Sequence, residues 1–134
     1  MKALSIRQPH AALIAAGVKR METRSRATSY RGPILIHASR GPIPAEALQR
    51  AGLMELAAGL PDVRGAYVAR AVLTDCIHIT PELAEQLQRE NPAEYVAGYY
   101  TPGRWAWVLE NVEPLPEPVP ARGFPWLWEV VSWS

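Results

Sequence analysis

The sequence predicts one small α+β domain built around a mixed or closed sheet. Its 134 residues match the common size of a single domain and are too few for two cores. Short strand-like runs alternate with helical ones in no regular βαβ rhythm, which argues against a doubly wound parallel sheet. A hydrophobic share of 49% and a charged share of 20% are ordinary for a globular chain.

Ala3 to Arg7 alternates like a strand, and Pro9 suits the first turn of a helix through Ala11, Leu13, Ile14 and Ala15. Gly17 supplies the left-handed stop that helix C-termini use. Met21-Glu22-Thr23-Arg24 is a short strand, with Glu22 and Arg24 on one face and Thr23 on the other. Pro33 to Ala38 is a nearly continuous apolar run, the pattern of a buried strand. A helix from Pro44 to near Gly59 follows, then the longest strand candidate, Gly65 to Thr80. Thr80-Pro81-Glu82 has the cap, proline and acid of a helix start, and Leu83 and Leu87 turn inward from it. Arg104–Glu110 and Trp126–Val131 are strand signals. Between them Pro114, Pro116, Pro118 and Pro120 recur at every second position, which favours an edge or a stiff extended link.

Composition narrows the function classes. No apolar stretch approaches the ~20 residues that cross a bilayer, and Arg7 interrupts any leader-like apolar run, so a cytoplasmic protein without a membrane partner is expected. Cys76 is the only cysteine, and His10, His37 and His78 lack ligand spacing, so neither a metal centre nor another cofactor is expected. Charge is polarised along the chain. Residues 1–50 hold nine cations against two acids, +7, and residues 51–134 hold five against eleven, −6, which together give the net +1. If the basic segment folds to one side, it presents a positive face to phosphate-bearing partners; if the halves interleave, they neutralise each other.

Two places carry chemistry. At Arg7-Gln8-Pro9 a strand meets a helix start, where an anion can dock beside Arg7, or Arg7 can pair with a core carboxylate. In Gly17-x-Lys19-x-x-Glu22-x-Arg24, Lys19 is one of two lysines against twelve arginines. Lysine loses its proton when crowded and arginine does not, which makes Lys19 the catalytic candidate, with Glu22 as its partner or as a general base. The same residues also read as an ion network that fixes a turn. Trp105, Trp107, Trp126, Trp128 and Trp133 have the spacing of core-filling aromatics. Tyr30, Tyr99 and Tyr100 lie in loop-like sequence and suit base stacking, Tyr100 with Arg104 in one turn.

The blocks Ala3–Pro9, Gly17–Arg24 and Tyr30–Ala38, continued through Gly103–Trp107 and Trp126–Val131, together resemble the ASCH domain, a member of the PUA-like β-barrel group. The resemblance implies a closed barrel of about five or six strands with flanking helices, a cleft at Lys19, Glu22 and Arg24, and binding of RNA or DNA. Enzymes similar to this domain include an amidohydrolase acting on 4-acetylcytidine and a ribonuclease. In the amidohydrolase a lysine matches Lys19, and the position of Glu22 is a threonine nucleophile. Its third partner, a glutamate, has no secure counterpart, with Glu82, Glu85 and Glu90 in the right region.

The expected function is therefore binding of single-stranded RNA, a nucleotide or a modified base in a basic cleft. Arg7, Gln8, Lys19, Arg24, Arg31, Arg40, Tyr100 and Arg104 are its candidate contacts. The alternative is a hydrolase of nucleic acid or nucleoside that uses Lys19 and Glu22. A third possibility is a protein-interaction domain that docks through the acidic segment Glu82–Glu94.

Overall fold

A computed structural model describes residues 1–131; Trp133 of the expected aromatic core lies outside the described residues. Strand β1 (Lys2–Arg7) turns Leu4 and Ile6 to the main core and Ala3 to the opposite face. Helix α1 (His10–Ala15) follows at once. Pro9 is the residue just before its first turn, and Gln8 Oε1 caps it by accepting the Ala12 amide at 2.9 Å. Gly17, at φ 81°, ends the helix as expected. Strand β2 (Met21–Arg24) occupies the predicted residues, and β3 (Gly32–Ser39) contains the predicted apolar run.

The expected helix over 44–59 is two short ones, α2 (Ala45–Ala51) and α3 (Leu53–Leu56). Gly52 at φ 77° breaks them apart. Strand β4 (Ala66–His78) comes next, then α4 (Pro81–Glu90), whose Leu83 amide is capped by Thr80 Oγ1 at 3.1 Å. A further helix, α5 (Pro92–Val96), opens on Asn91, which accepts from the Glu94 amide. Strand β5 (Trp105–Pro120) runs through the whole proline series, and β6 (Leu127–Glu129) closes the described chain.

The strands form one sheet in the order β2-β5-β4-β3-β1-β6, antiparallel throughout except for the β1–β3 pair. Closure into a barrel, as the resemblance implied, is not what this chain does. The sheet is open, curled into a half-barrel, because β2 spends its only ladder on β5 and β6 spends its only ladder on β1. Across the opening a side chain stands where a ladder would be: Arg24 of β2 donates through Nη2 to the Ser5 carbonyl of β1 at 2.8 Å.

The main core lies between the sheet and α1. Ile34, Ile36 and Ala38 of β3 meet Ala11 and Ile14 there, with Trp107 fully buried among them. Trp105 and Trp126 pack partly buried against this core, and Trp128 against the smaller one around Leu35, so the described tryptophans serve packing. Trp107 also anchors the loop after β2, because its Nε1–H donates to the Arg26 carbonyl at 3.0 Å.

The proline series is extended backbone in a strand. In a regular strand, alternate residues direct their amides to one edge, so prolines at every second position strip donors from one side. Beyond Leu109, whose amide donates to the Arg20 carbonyl, no strand pairs with that edge among the described residues, and all four prolines are exposed. Missing amides blunt this edge against pairing with another chain. Replacing Pro116 and Pro118 together by valine restores donors and β-propensity, so the variant should self-associate more than the parent at equal concentration in light scattering.

Candidate functional site

The opening between β1 and β2 is a cleft of about 680 Å³. Ser5, Ile6 and Arg7 form one wall and Glu22, Thr23 and Arg24 the other; His10, Lys19, Tyr99 and Arg104 also border it. Its volume falls within the range of small-molecule sites.

Lys19 organises this region although its side chain is only 1% exposed. Leaving α1 after Gly17, the chain turns the ammonium inward. There it donates to Glu22 Oε1 at 3.2 Å, to His10 Nδ1 at 3.0 Å and to the Ala97 carbonyl at the end of α5. Three donors meet three acceptors. Glu22 is likewise fully engaged, with Oε2 accepting from Arg24 Nε at 3.1 Å and pairing with its Nη2 at 3.0 Å. Glu22 and Arg24 thus share a strand face, as the alternation in β2 predicts.

Burial alone would raise the Glu22 pKa, but Lys19, Arg24 and the positive form of His10 outweigh it and hold the carboxyl below its ordinary value. His10 goes the other way from an ordinary imidazole. Burial first, and the Lys19 charge second, lower its pKa to about 4. At neutral pH it is uncharged, so its Nδ1 can accept from Lys19.

Glu94, only 1% exposed, holds the strand entrance. It accepts the amides of Arg20 at 2.7 Å and Met21 at 3.3 Å, together with the Tyr100 hydroxyl at 3.4 Å. Tyr100 is consequently buried, with burial and Glu94 pushing its phenol pKa upward, and it does not face the cleft as the loop-like sequence suggested. Its neighbour Tyr99 does, 65% exposed, with the Arg104 guanidinium 5.0 Å from its ring centroid. Arg104 is fixed by the carbonyls of Tyr99 and Thr23.

The structure therefore gathers Arg7, Lys19, Glu22, Arg24 and Arg104 in one cleft and leaves the other candidates elsewhere. Gln8 is buried, tied to the Ala12 amide and, at 2.8 Å, to the Val63 carbonyl. Arg31 is bound to the carbonyls of Thr28 and Tyr30. Arg40 borders a second cavity. Glu82, Glu85 and Glu90 sit on α4 outside the cleft, and the Thr23 hydroxyl accepts from the Tyr99 amide at 2.9 Å.

His10 and Glu94 are the residues that the sequence concealed. A lone histidine at a helix start has no spacing signature. For Glu94 the Asn91-Pro92 cap was the available signal, since it opens the helix that carries the acid.

An open curled sheet of α+β type, with a buried lysine–glutamate–arginine network in its opening, defines the class. Residues 4–119 match the family model of the ASCH domain, and the chain belongs to the ASCH domain family, within the PUA-like group. Such domains are generally assigned to RNA binding. No curated protein matches the chain. Among the described residues no helix is long and apolar enough to cross a membrane.

Removing one member of a buried pair leaves an uncompensated charge. Lys19→Met should lower stability by about 3–5 kcal/mol in urea unfolding, and Lys19→Met with Glu22→Gln by less than the sum of the single changes. Acid sensitivity follows from His10 and Glu22. Between pH 6.5 and about 4 the unfolded chain takes up a proton at His10 that the folded chain refuses. Stability attributable to His10 is complete above pH 6.5 and falls as pH drops through that window; Glu22 adds a further loss below the ordinary carboxyl value of 4.5. His10→Gln should flatten the pH 4–6.5 limb of a stability-against-pH curve.

Proposed function

We propose that the chain is a cytoplasmic binding module for RNA or another single-stranded nucleic acid, seating a phosphate and a base in the cleft between β1 and β2. The observation that carries this reading is the saturation of the network. Every donor of Lys19 is met by protein, and both oxygens of Glu22 are held by cations. Glu22 stays ionised and His10, with a pKa near 4, is a weak base at neutral pH, which disfavours proton transfer by either.

The groups left for a ligand are of another kind. Arg7 is exposed and has no hydrogen-bond or ion-pair partner among the described residues. Arg24 and Arg104 stand at the walls, and Tyr99 offers an exposed ring. Guanidinium forks suit phosphates, and an aromatic ring suits an unstacked base. The Lys19 charge compensates Glu22, so the arginines set the sign of the cleft.

Anisotropy titration of labelled single-stranded RNA at about 50 to 200 mM salt tests this. Affinity should fall steeply with salt, and Arg7→Ala should reduce the salt slope by about 0.7. Binding that ignores salt, or no binding, would overturn the proposal. Hydrolysis of 4-acetylcytidine or RNA that disappears in Lys19→Ala would instead assign the cleft to a hydrolase.

A further inference from the structure

The cleft has a neighbour. A second cavity of about 720 Å³ starts at Ser5 and Ser39, which also border the first, and continues past Arg40 to the loop of residues 120–125. Ser5 of β1 and Ser39 at the end of β3 are the residues that border both cavities, with the Arg24 guanidinium on the Ser5 carbonyl beside them. The Ser5 hydroxyl lies 3.0 Å from His37 Nδ1, and His37 Nε2 lies 2.7 Å from the Ala121 carbonyl. Gly123 packs against this pair, and a Cβ on it would come within 3 Å of the Ser5 hydroxyl and the His37 ring.

The second cavity repeats the equipment of the first. Phe124 borders it, 45% exposed, with the Arg122 guanidinium 5.4 Å from its ring centroid, as Arg104 lies over Tyr99. An edge contact with Trp128, at 5.5 Å between centroids, fixes the Phe124 ring. Burying the Arg122 cation against an apolar protein surface would be costly, so this ring and its cation suit an anionic partner better than an apolar one. Aromatic platforms beside cations, joined by a shallow groove, are what a flexible single strand requires.

We infer that the two cavities form one track for a single-stranded nucleic acid of at least two nucleotides, one base stacking on Tyr99 and another on Phe124. The backbone crosses between them over Ser5 and Ser39. This rests on the binding function proposed above and extends it from one nucleotide to a strand. Arg122 and Phe124 lie beyond residues 4–119, so these two contacts fall outside the family match.

The test measures binding of adenosine monophosphate and of oligoadenylates of two to six nucleotides to the parent chain, Tyr99→Ala, Phe124→Ala and Phe124→Leu. The track predicts that affinity rises with length. Phe124→Ala should lose about tenfold on the hexamer and nothing on the mononucleotide, whereas Tyr99→Ala should lose on both. Phe124→Leu keeps the apolar contact with Trp128 and should show the same selective loss, which separates stacking from damage to the fold. Arg122→Ala should cut the salt slope for the hexamer by about 0.7. A hexamer that binds no tighter than the mononucleotide, a Phe124→Ala variant with undiminished hexamer affinity, or an acidic peptide that displaces the hexamer at equal concentration would overturn the track alone. Failure of the parent chain to bind any of these probes would overturn the proposed function and the track with it.

Discussion

The buried ammonium of Lys19 is the constraint on which the site depends. Taking a charge out of water costs several kcal/mol unless its donors are met, and here the acceptors come from three parts of the chain: His10 on α1, Glu22 on β2 and the carbonyl that ends α5. His10 and Glu22 flank Lys19 in the chain, while the Ala97 carbonyl lies 78 residues away. The ammonium is satisfied only when all three are in place, so the cost of burial becomes a demand for one arrangement. Glu94 adds to the same junction by accepting the amides of Arg20 and Met21, which ties α5 to the entrance of β2 a second time. The wall of the cleft is thereby held by ionic and backbone contacts in a place where the sheet supplies no ladder.

That missing ladder is what creates the cleft. β6 pairs with β1 only at Lys2–Leu4, so beyond Leu4 the outer edge of β1 is uncovered as it approaches β2. Had the sheet closed, Ser5–Arg7 and Glu22–Arg24 would face each other through backbone hydrogen bonds and leave no space. Instead a single guanidinium spans the gap, with Arg24 held to Glu22 on its own strand and to the Ser5 carbonyl on the other. A side-chain bridge keeps the edges apart while fixing their separation. The strand edges that a closed barrel would pair here become the walls of the cleft.

Legibility in the sequence follows the range of the interaction. β1, β2, β3 and the start of α4 are set by alternation, by a continuous apolar run and by a cap followed by proline, all local signals that survived folding intact. Gly17 stopped α1 as its backbone freedom suggests, and Gly52 broke a helix that helical spacing alone would have continued. Barrel closure was not legible, because it depends on whether two edge strands distant in sequence meet. The fates of Tyr99 and Tyr100 were equally hidden. Adjacent residues of like composition took opposite environments because Glu94 offers a buried acceptor to the hydroxyl of only one of them. The Lys19–Glu22–Arg24 spacing was readable as a cluster, while its partner His10 was not.

The same geometry gives a reason for the identity of residue 19. In a chain that writes almost all its positive charge as arginine, a lysine invites an explanation in terms of proton loss. A second explanation lies in shape. An ammonium is a point from which three donors diverge, and its acceptors here are a carboxylate, a ring nitrogen and a carbonyl arranged around that point. A guanidinium would present five donors in a plane, too many for three acceptors and too wide for a position only 1% exposed, so it would leave donors buried without partners. Arginine serves well at 7, 24 and 104, where a planar fork can reach outward into the cleft. At 19, where the charge must be surrounded on every side, the compact cation is the one that fits.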